Sequence, residues 1–366
     1  MAGIDRVKPA LPRPQVAATQ TEKVPANELV AHRDAFALPD LHLPNVGASL
    51  GNAAHDVSSW LHLPFPGKGS AKDIGWIQDV KPPTTDVTGS FEKLDAAAKA
   101  GKDVLPSDAK DFVYLSVGGL FSQAAPTYFD PNMDALAKAG CEVGQVPVNT
   151  VDGVRHNAAI VRDTILKYAQ EGKKVVLIGH SMGGLDASAA LALYPELKDH
   201  VRALVTIQSP YGGSPMAGDL LEVPGLKTIG GAVIKEVFGG QVKCATDLTY
   251  ASRQKFLEQH PMPAGIPTVC MASSRLSPLS AFFSTAEYMK VRYGLDTDGM
   301  VSPKDAFIPG AQTVTLSGLD HGDSTLQPLN PFLPYKPGDL TLGLVALALK
   351  APPLPAQPPY VAPSAG

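Results

Sequence analysis

No stretch of the chain limits its folding more than Lys174–Leu193. A strand-like apolar run, Lys174–Gly179 (KVVLIG), enters Gly179-His180-Ser181-Met182-Gly183-Gly184, and a helix-forming run continues through Leu185–Leu193 before Pro195. A strand that becomes a helix across so short a turn forces the serine into backbone angles that few residues adopt. The residues two before and two after it pack so closely between strand and helix that a Cβ would collide, and Gly179 and Gly183 meet that demand. This is G-x-S-x-G in the strand-turn-helix context that projects a serine from a sheet. The turn places Ser181 at a helix N-terminus, where unpaired N–H groups and the positive dipole end favour a developing anion.

The flanking sequence supplies a sheet for that turn. Asp111–Val117 (DFVYLSV) reads as a buried strand, Asp130 and Pro131 as the N-cap and first residue of a short helix ending at Gly140, and Cys141–Val148 as another strand. Asp152 caps a helix to Glu171 with Val154, Ala158, Val161, Ile165 and Tyr168 on one face and Gly172 at its stop. Val201–Gln208, Ile266–Met271 and Thr313–Leu316 read as further strands. The alternation predicts an α/β fold with a mostly parallel central sheet flanked by helices. It breaks between Gly212 and Pro263, which read as a helical cap insertion; Leu226, Ile229, Val233 and Val237 recur there at helical spacing.

A serine hydroxyl needs a base within hydrogen-bond reach, and the base needs an orienting carboxylate. Of the histidines after Ser181, His200 precedes a strand and His260 sits in the helical insertion, whereas His321 follows Thr313–Leu316, where ligand chemistry collects in open α/β sheets. Asp298, followed by Gly299, suits a tight loop aimed at the imidazole; Asp296 fits less well, and Asp320, next to His321 in the chain, reads as a loop residue. Met182 N–H is one donor for an anion at Ser181. Leu120 N–H, in the Val117-Gly118-Gly119-Leu120-Phe121 turn after the first strand, is the candidate for the second.

From Asp111 to about Asp323 the chain resembles the bacterial triacylglycerol lipase and esterase branch of the α/β-hydrolase family, through VGGLFS, IGHSMGG, QSPYGGSP, TDGMVS and LDHGDS. The resemblance implies an α/β-hydrolase fold with Ser181 as nucleophile, Asp298 as acid, His321 as base, and Leu120 and Met182 as oxyanion donors. Such lipases usually carry His-Gly where this chain has Gly118-Gly119. They often hold a structural calcium through two aspartates. Asp323 matches one, and no aspartate stands at the spacing of the other ahead of Asp298, so no cofactor is expected. The expected function is a serine-dependent carboxylic ester hydrolase working through an acyl-enzyme on Ser181, with an ester or lipid as substrate. The alternatives are an acyltransferase or thioesterase on the same residues, or a non-catalytic hydrolase-fold interaction protein. The cap helix would act as a lid over an acyl pocket, making transient contact with a lipid surface.

The rest of the chain narrows the partners. Net charge is −4 and no dense Lys/Arg block appears, which argues against nucleic acid. The longest apolar run, Leu340–Leu349, is half the ~20 residues that cross a bilayer, so no transmembrane segment is expected. Met1–Val30 has no apolar core of secretory length, so no signal peptide is read there and localisation stays open. Proline is dense at both ends: residues 1–35 read as a flexible leader and 351–366 as a loose tail. Residues 36–105 form an extension of unknown role that repeats Leu-His-Leu-Pro at Leu41–Pro44 and Leu61–Pro64, with His42 and His62 facing solvent. The hydrolase domain is expected over 106–350 with its cap at about 212–263. Cys141, Cys244 and Cys270 lack the spacing of a zinc site and read as buried thiols, with a Cys244–Cys270 bridge as the alternative.

Overall fold

The structure, a computed structural model, describes residues 71–120, 122, 125, 127–149, 152–222, 242–327, 332–358 and 360. The leader, both Leu-His-Leu-Pro copies with His42 and His62, Phe121, the cap positions Leu226–Val237 and the end of the tail lie outside the described residues. Seven described strands form one all-parallel sheet in the order β1-β7-β6-β5-β4-β2-β3. They are β1 (Thr85–Asp86), β2 (Phe112–Val117), β3 (Glu142–Gln145), β4 (Lys174–His180), β5 (Val201–Ile207), β6 (Thr268–Ser274) and β7 (Gln312–Ser317). From β2 the chain moves outward to β3, then returns to the other side of β2 as β4 and proceeds outward again. The crevice between the C-terminal ends of β2 and β4 is therefore the topological switch point, where open α/β sheets bind ligands.

The strands read as continuous apolar runs because both faces of the sheet are covered. In β4, Val175 and Leu177 enter one core while Val176 and Ile178 enter the other. The first core is closed by α3 (Val154–Gln170), through Val154, Ala158, Val161 and Ile165, and by α4 (Met182–Leu193). On the opposite face α9 (Pro337–Lys350) packs on the middle of the sheet, flanked by α1 (Thr88–Lys99) and α2 (Asp130–Lys138), which also rest on the sheet. The sheet beneath and a helix on each side explain why Leu340–Leu349 is so broadly apolar. No helix among the described residues is long and apolar enough to cross a membrane.

The insertion is helical where described: α5 (Pro215–Glu222), α6 (Val242–Asp247) and α7 (Tyr250–Gln259), with α8 (Phe283–Tyr293) following β6. Cys141, Cys244 and Cys270 are buried thiols, so the Cys244–Cys270 bridge is not formed. Three local expectations shift, each for a tertiary reason. Asp152 does not cap α3: its carboxylate accepts from Asn149 Nδ2 at 2.8 Å, and Asp247 Oδ2 reaches across from α6 to accept Val154 N–H at 2.8 Å. The cap position of α2 is Phe129, held at φ 67° while its N–H donates to Thr325 O at 3.0 Å. The third strand closes at Gln145: Val146 N–H makes the last bond to β2, at Ser116 O, and Pro147 has no N–H to continue the ladder.

The described residues before 106, residues 71–105, join the same body as the sheet. Gly75 N–H donates to Asp305 Oδ1 at 2.8 Å, Tyr250 O–H to Asp305 Oδ2 at 2.9 Å, and Trp76 Nε1–H to Gly212 O at 2.7 Å. The tail is docked rather than loose where described: Leu354 is buried, its carbonyl accepts Gly265 N–H at 2.8 Å, and the Tyr360 ring lies 4.5 Å from that of Trp76.

Burial raises the Asp305 carboxyl from 3.8 to about 7. The folded protein thus binds a proton that the unfolded chain releases near 3.8, and folding stability falls as pH rises from about 4 toward about 7. Urea midpoints at about pH 5 and about pH 8 should show this fall in the wild type and a smaller one in Asp305→Asn; equal falls would contradict the assignment.

Candidate active site

The turn after β4 has the geometry its sequence requires. Ser181 sits at φ 56°, ψ −129°, a sparsely populated region for a side-chain-bearing residue, at a cost of about 1–3 kcal/mol. Its N–H donates to Ile207 O at 2.9 Å, which holds the turn against the end of β5. A Cβ on Gly179 would lie 2.6 Å from Gly184 Cα, and one on Gly183 only 2.1 Å from Val117 O. Met182 opens α4, so its N–H has no intrahelical acceptor.

The loop after β2 is pressed onto this turn. A Cβ on Gly119 would meet Ser181 Cβ at 2.7 Å and His180 O at 2.9 Å, and Ser122 N–H closes the loop on Gly119 O at 3.2 Å. At Gly118 a Cβ would strike Ser122 Oγ at 2.3 Å. Gly119 N–H donates to the Tyr128 hydroxyl at 3.3 Å, and Leu120 is the next residue in the turn, buried beside the elbow.

Ser181, His321 and Asp298 meet at the C-terminal edge of the sheet. His321 Nε2 lies 2.9 Å from Ser181 Oγ and Nδ1 lies 2.8 Å from Asp298 Oδ2. Asp298 is 1% exposed; its second oxygen accepts Met300 N–H at 2.8 Å and Val301 N–H at 2.7 Å, so the carboxylate cannot turn from the ring without losing both. His321 N–H donates to Asp298 O at 2.9 Å, a backbone tie parallel to the side-chain one. The arrangement can move a proton from a hydroxyl to an imidazole backed by a carboxylate. Asp296 is not part of it, being exposed and paired with Lys290 Nζ at 2.9 Å. Asp320 organises the loop instead: Oδ1 accepts the N–H groups of Gly322 and Asp323, both at 3.0 Å, and Oδ2 accepts from Ser280 Oγ at 2.7 Å.

The residues around Asp323 do not fit calcium. Its Oδ2 accepts from Arg275 Nη1 at 2.6 Å and from Asp320 N–H at 2.9 Å, so a guanidinium stands where the ion would. A calcium would also need six to eight oxygens, and no group of metal-ligating side chains occurs among the described residues. Arg275 also joins the two loops, because its own N–H donates to Thr297 O, next to Asp298, at 2.9 Å.

Gln208, Tyr128 and His180 also belong to the site; Gln208 opens QSPYGGSP and His180 lies within IGHSMGG, but the sequence pattern assigns none of the three a role. Gln208, at the end of β5, has φ 48° and a buried side chain. Its Nε2 donates to Ser273 Oγ at 2.6 Å and to Asp320 O at 2.9 Å, and its Oε1 accepts from Ser324 Oγ. His180 is fully enclosed, and burial, then the neighbouring His321, push its pKa well below the usual imidazole value. The one available signal was a histidine inside an apolar turn, a position that demands partners.

A PGAP1-like alpha/beta domain family model matches residues 150–229, the segment carrying α3, β4, the Ser181 turn, α4 and β5. No curated protein matches the sequence. Among solved structures, a metagenomic carboxyl esterase is similar at 18% identity and a TM-score of 0.58, covering 80% of this chain and 98% of its own. The mature lipase BlEst2 of Bacillus licheniformis is similar at 20% identity and a TM-score of 0.48, over 59% of this chain and 86% of that one. A lipase of Staphylococcus hyicus gives 14% identity and a TM-score of 0.43, over 68% and 93%.

Gly183→Ala should lower unfolding stability by about 1–3 kcal/mol in urea, because neither the Val117 carbonyl nor the helix can give way; an unchanged midpoint would contradict the packing described. With its parallel sheet and flanking helices, and a solved relative that it spans almost end to end, the chain has the α/β-hydrolase fold.

Proposed function

We propose that the protein is a carboxylic ester hydrolase that works through an acyl-enzyme on Ser181. The observation that carries this reading is the continuous line from Ser181 Oγ through the His321 ring to Asp298, made from three separate loops. In this reading Ser181 Oγ attacks the ester carbonyl while His321 Nε2 takes its proton, and Asp298 stabilises the imidazolium that forms. The tetrahedral oxyanion is held by Met182 N–H and Leu120 N–H, each worth about 2.7–4 kcal/mol of transition-state stabilisation. His321 then returns the proton to the departing alcohol. Water attacks the acyl carbon, His321 takes a proton from it and restores it to Ser181, and the carboxylic acid leaves. None of these steps calls for a cofactor.

An apolar acyl group or lipid surface is favoured by the loop leading to α8. Leu276 and Leu279 on this loop are 50% and 84% exposed, and Phe282 at its end sets its ring 5.7 Å from that of His321. Apolar side chains therefore face solvent on the loop whose end packs against His321. The lid expected from the spacing of Leu226, Ile229, Val233 and Val237 lies outside the described residues.

A chain-length series of p-nitrophenyl esters tests the reading. Wild type should hydrolyse them with a preference for apolar acyl chains, and Ser181→Ala and His321→Ala should each lower kcat by about four orders of magnitude with the fold intact. Undiminished turnover in Ser181→Ala would contradict it, and faster transfer to added alcohols or from thioesters would place the chemistry with acyltransferases or thioesterases.

A further inference from the structure

Behind the line of reacting groups runs a second chain of hydrogen bonds, and Gln208 fixes its polarity. Because Gln208 Nε2 faces the Asp320 carbonyl, Oε1 is the atom turned toward His180. His180 Nε2 thus lies between Gln208 Oε1 at 3.2 Å and the carbonyl oxygen of His321 at 2.9 Å. Neither partner has a proton to offer, so Nε2 carries the hydrogen. In a neutral ring Nδ1 is then a lone pair, and the Tyr128 hydroxyl donates to it. Tyr128 oxygen in turn accepts Gly119 N–H at 3.3 Å. The proton arrangement is determined at every link.

We propose that Tyr128 and His180 are positioning residues, forming a neutral buried relay that ties the oxyanion loop at Gly119 to the backbone of the base at His321. The proposal rests on the hydrolase reading above. Two consequences make the relay more than packing. With Gly119 N–H committed to Tyr128, the loop is fixed with Leu120 as its next donor. The backbone of His321 is held from both sides, its N–H by Asp298 O and its carbonyl by His180 Nε2–H. The neutrality of His180 also matters electrostatically. Its ring centre is 4.7 Å from that of His321, which becomes a cation during acylation, and a second cation there would oppose proton transfer.

The test has an arm that needs no activity and an arm that does. In the first, 15N spectra of histidine-labelled wild-type protein should show His180 as the Nε2–H tautomer without protonation across the neutral range, with its Nδ1 resonance moving in Tyr128→Phe. An Nδ1–H tautomer would overturn the relay. In the second, Tyr128→Phe should lower kcat about tenfold or more while KM stays within about twofold. His180→Gln keeps an Nε2 donor toward His321 O and has no acceptor atom at the Nδ1 position that Tyr128 reaches, and its combination with Tyr128→Phe should cost no more than the larger single loss, within about threefold. Losses that multiply, or kcat in Tyr128→Phe within about twofold of wild type, would overturn the proposal. Wild-type protein that cleaves no ester would sink the hydrolase reading alone, since the 15N arm still decides the relay.

Discussion

The site depends on how closely two loops approach at the switch point of the sheet. Gly183 lies against the Val117 carbonyl with no room for a methyl group, and Gly119 lies against Ser181 in the same way. These contacts bring the N-terminus of α4 to the end of β2, beside Ser181. The strained backbone of Ser181 is tolerated because β4, β5 and the glycine contacts fix it from every side. Release of any of them would relax the serine and misalign its hydroxyl.

A second constraint keeps His321 in place. His321 lies in a loop with no regular structure, yet its backbone and those of its neighbours are bonded to four separate segments: Asp298 after α8, His180 at the elbow, Gln208 after β5, and Arg275 through Asp323. Most of these bonds are buried, where an unpaired partner costs more than the bond itself supplies. The loop is therefore stiff through polar satisfaction rather than through apolar packing. Arg275 adds charge complementarity between the loops of Asp298 and His321.

Much of this was legible in the chain. Buried strands declare themselves as apolar runs. The elbow is legible because its glycines answer a steric demand independent of the rest of the fold, and the placing of His321 after β7 follows from where an open sheet gathers its loops. What the sequence conceals is what depends on partners distant in the chain. The cap of α3 comes from Asp247 instead of the adjacent Asp152, Phe129 takes a left-handed backbone because Thr325 holds it, and β1 is too short to leave a pattern. His180 and Tyr128 have no motif of their own; only the fold shows that one hydroxyl and one ring connect two loops.

Covalent trapping tests the central claim most directly. A fluorophosphonate reacts with a serine whose hydroxyl is activated by a neighbouring base and whose developing anion is held by donors. Intact mass should show one adduct per chain, peptide mapping should place it on Ser181, and replacing His321 by alanine should slow its formation sharply. A folded protein that forms no adduct, or forms it at another residue at an equal rate, would contradict the account.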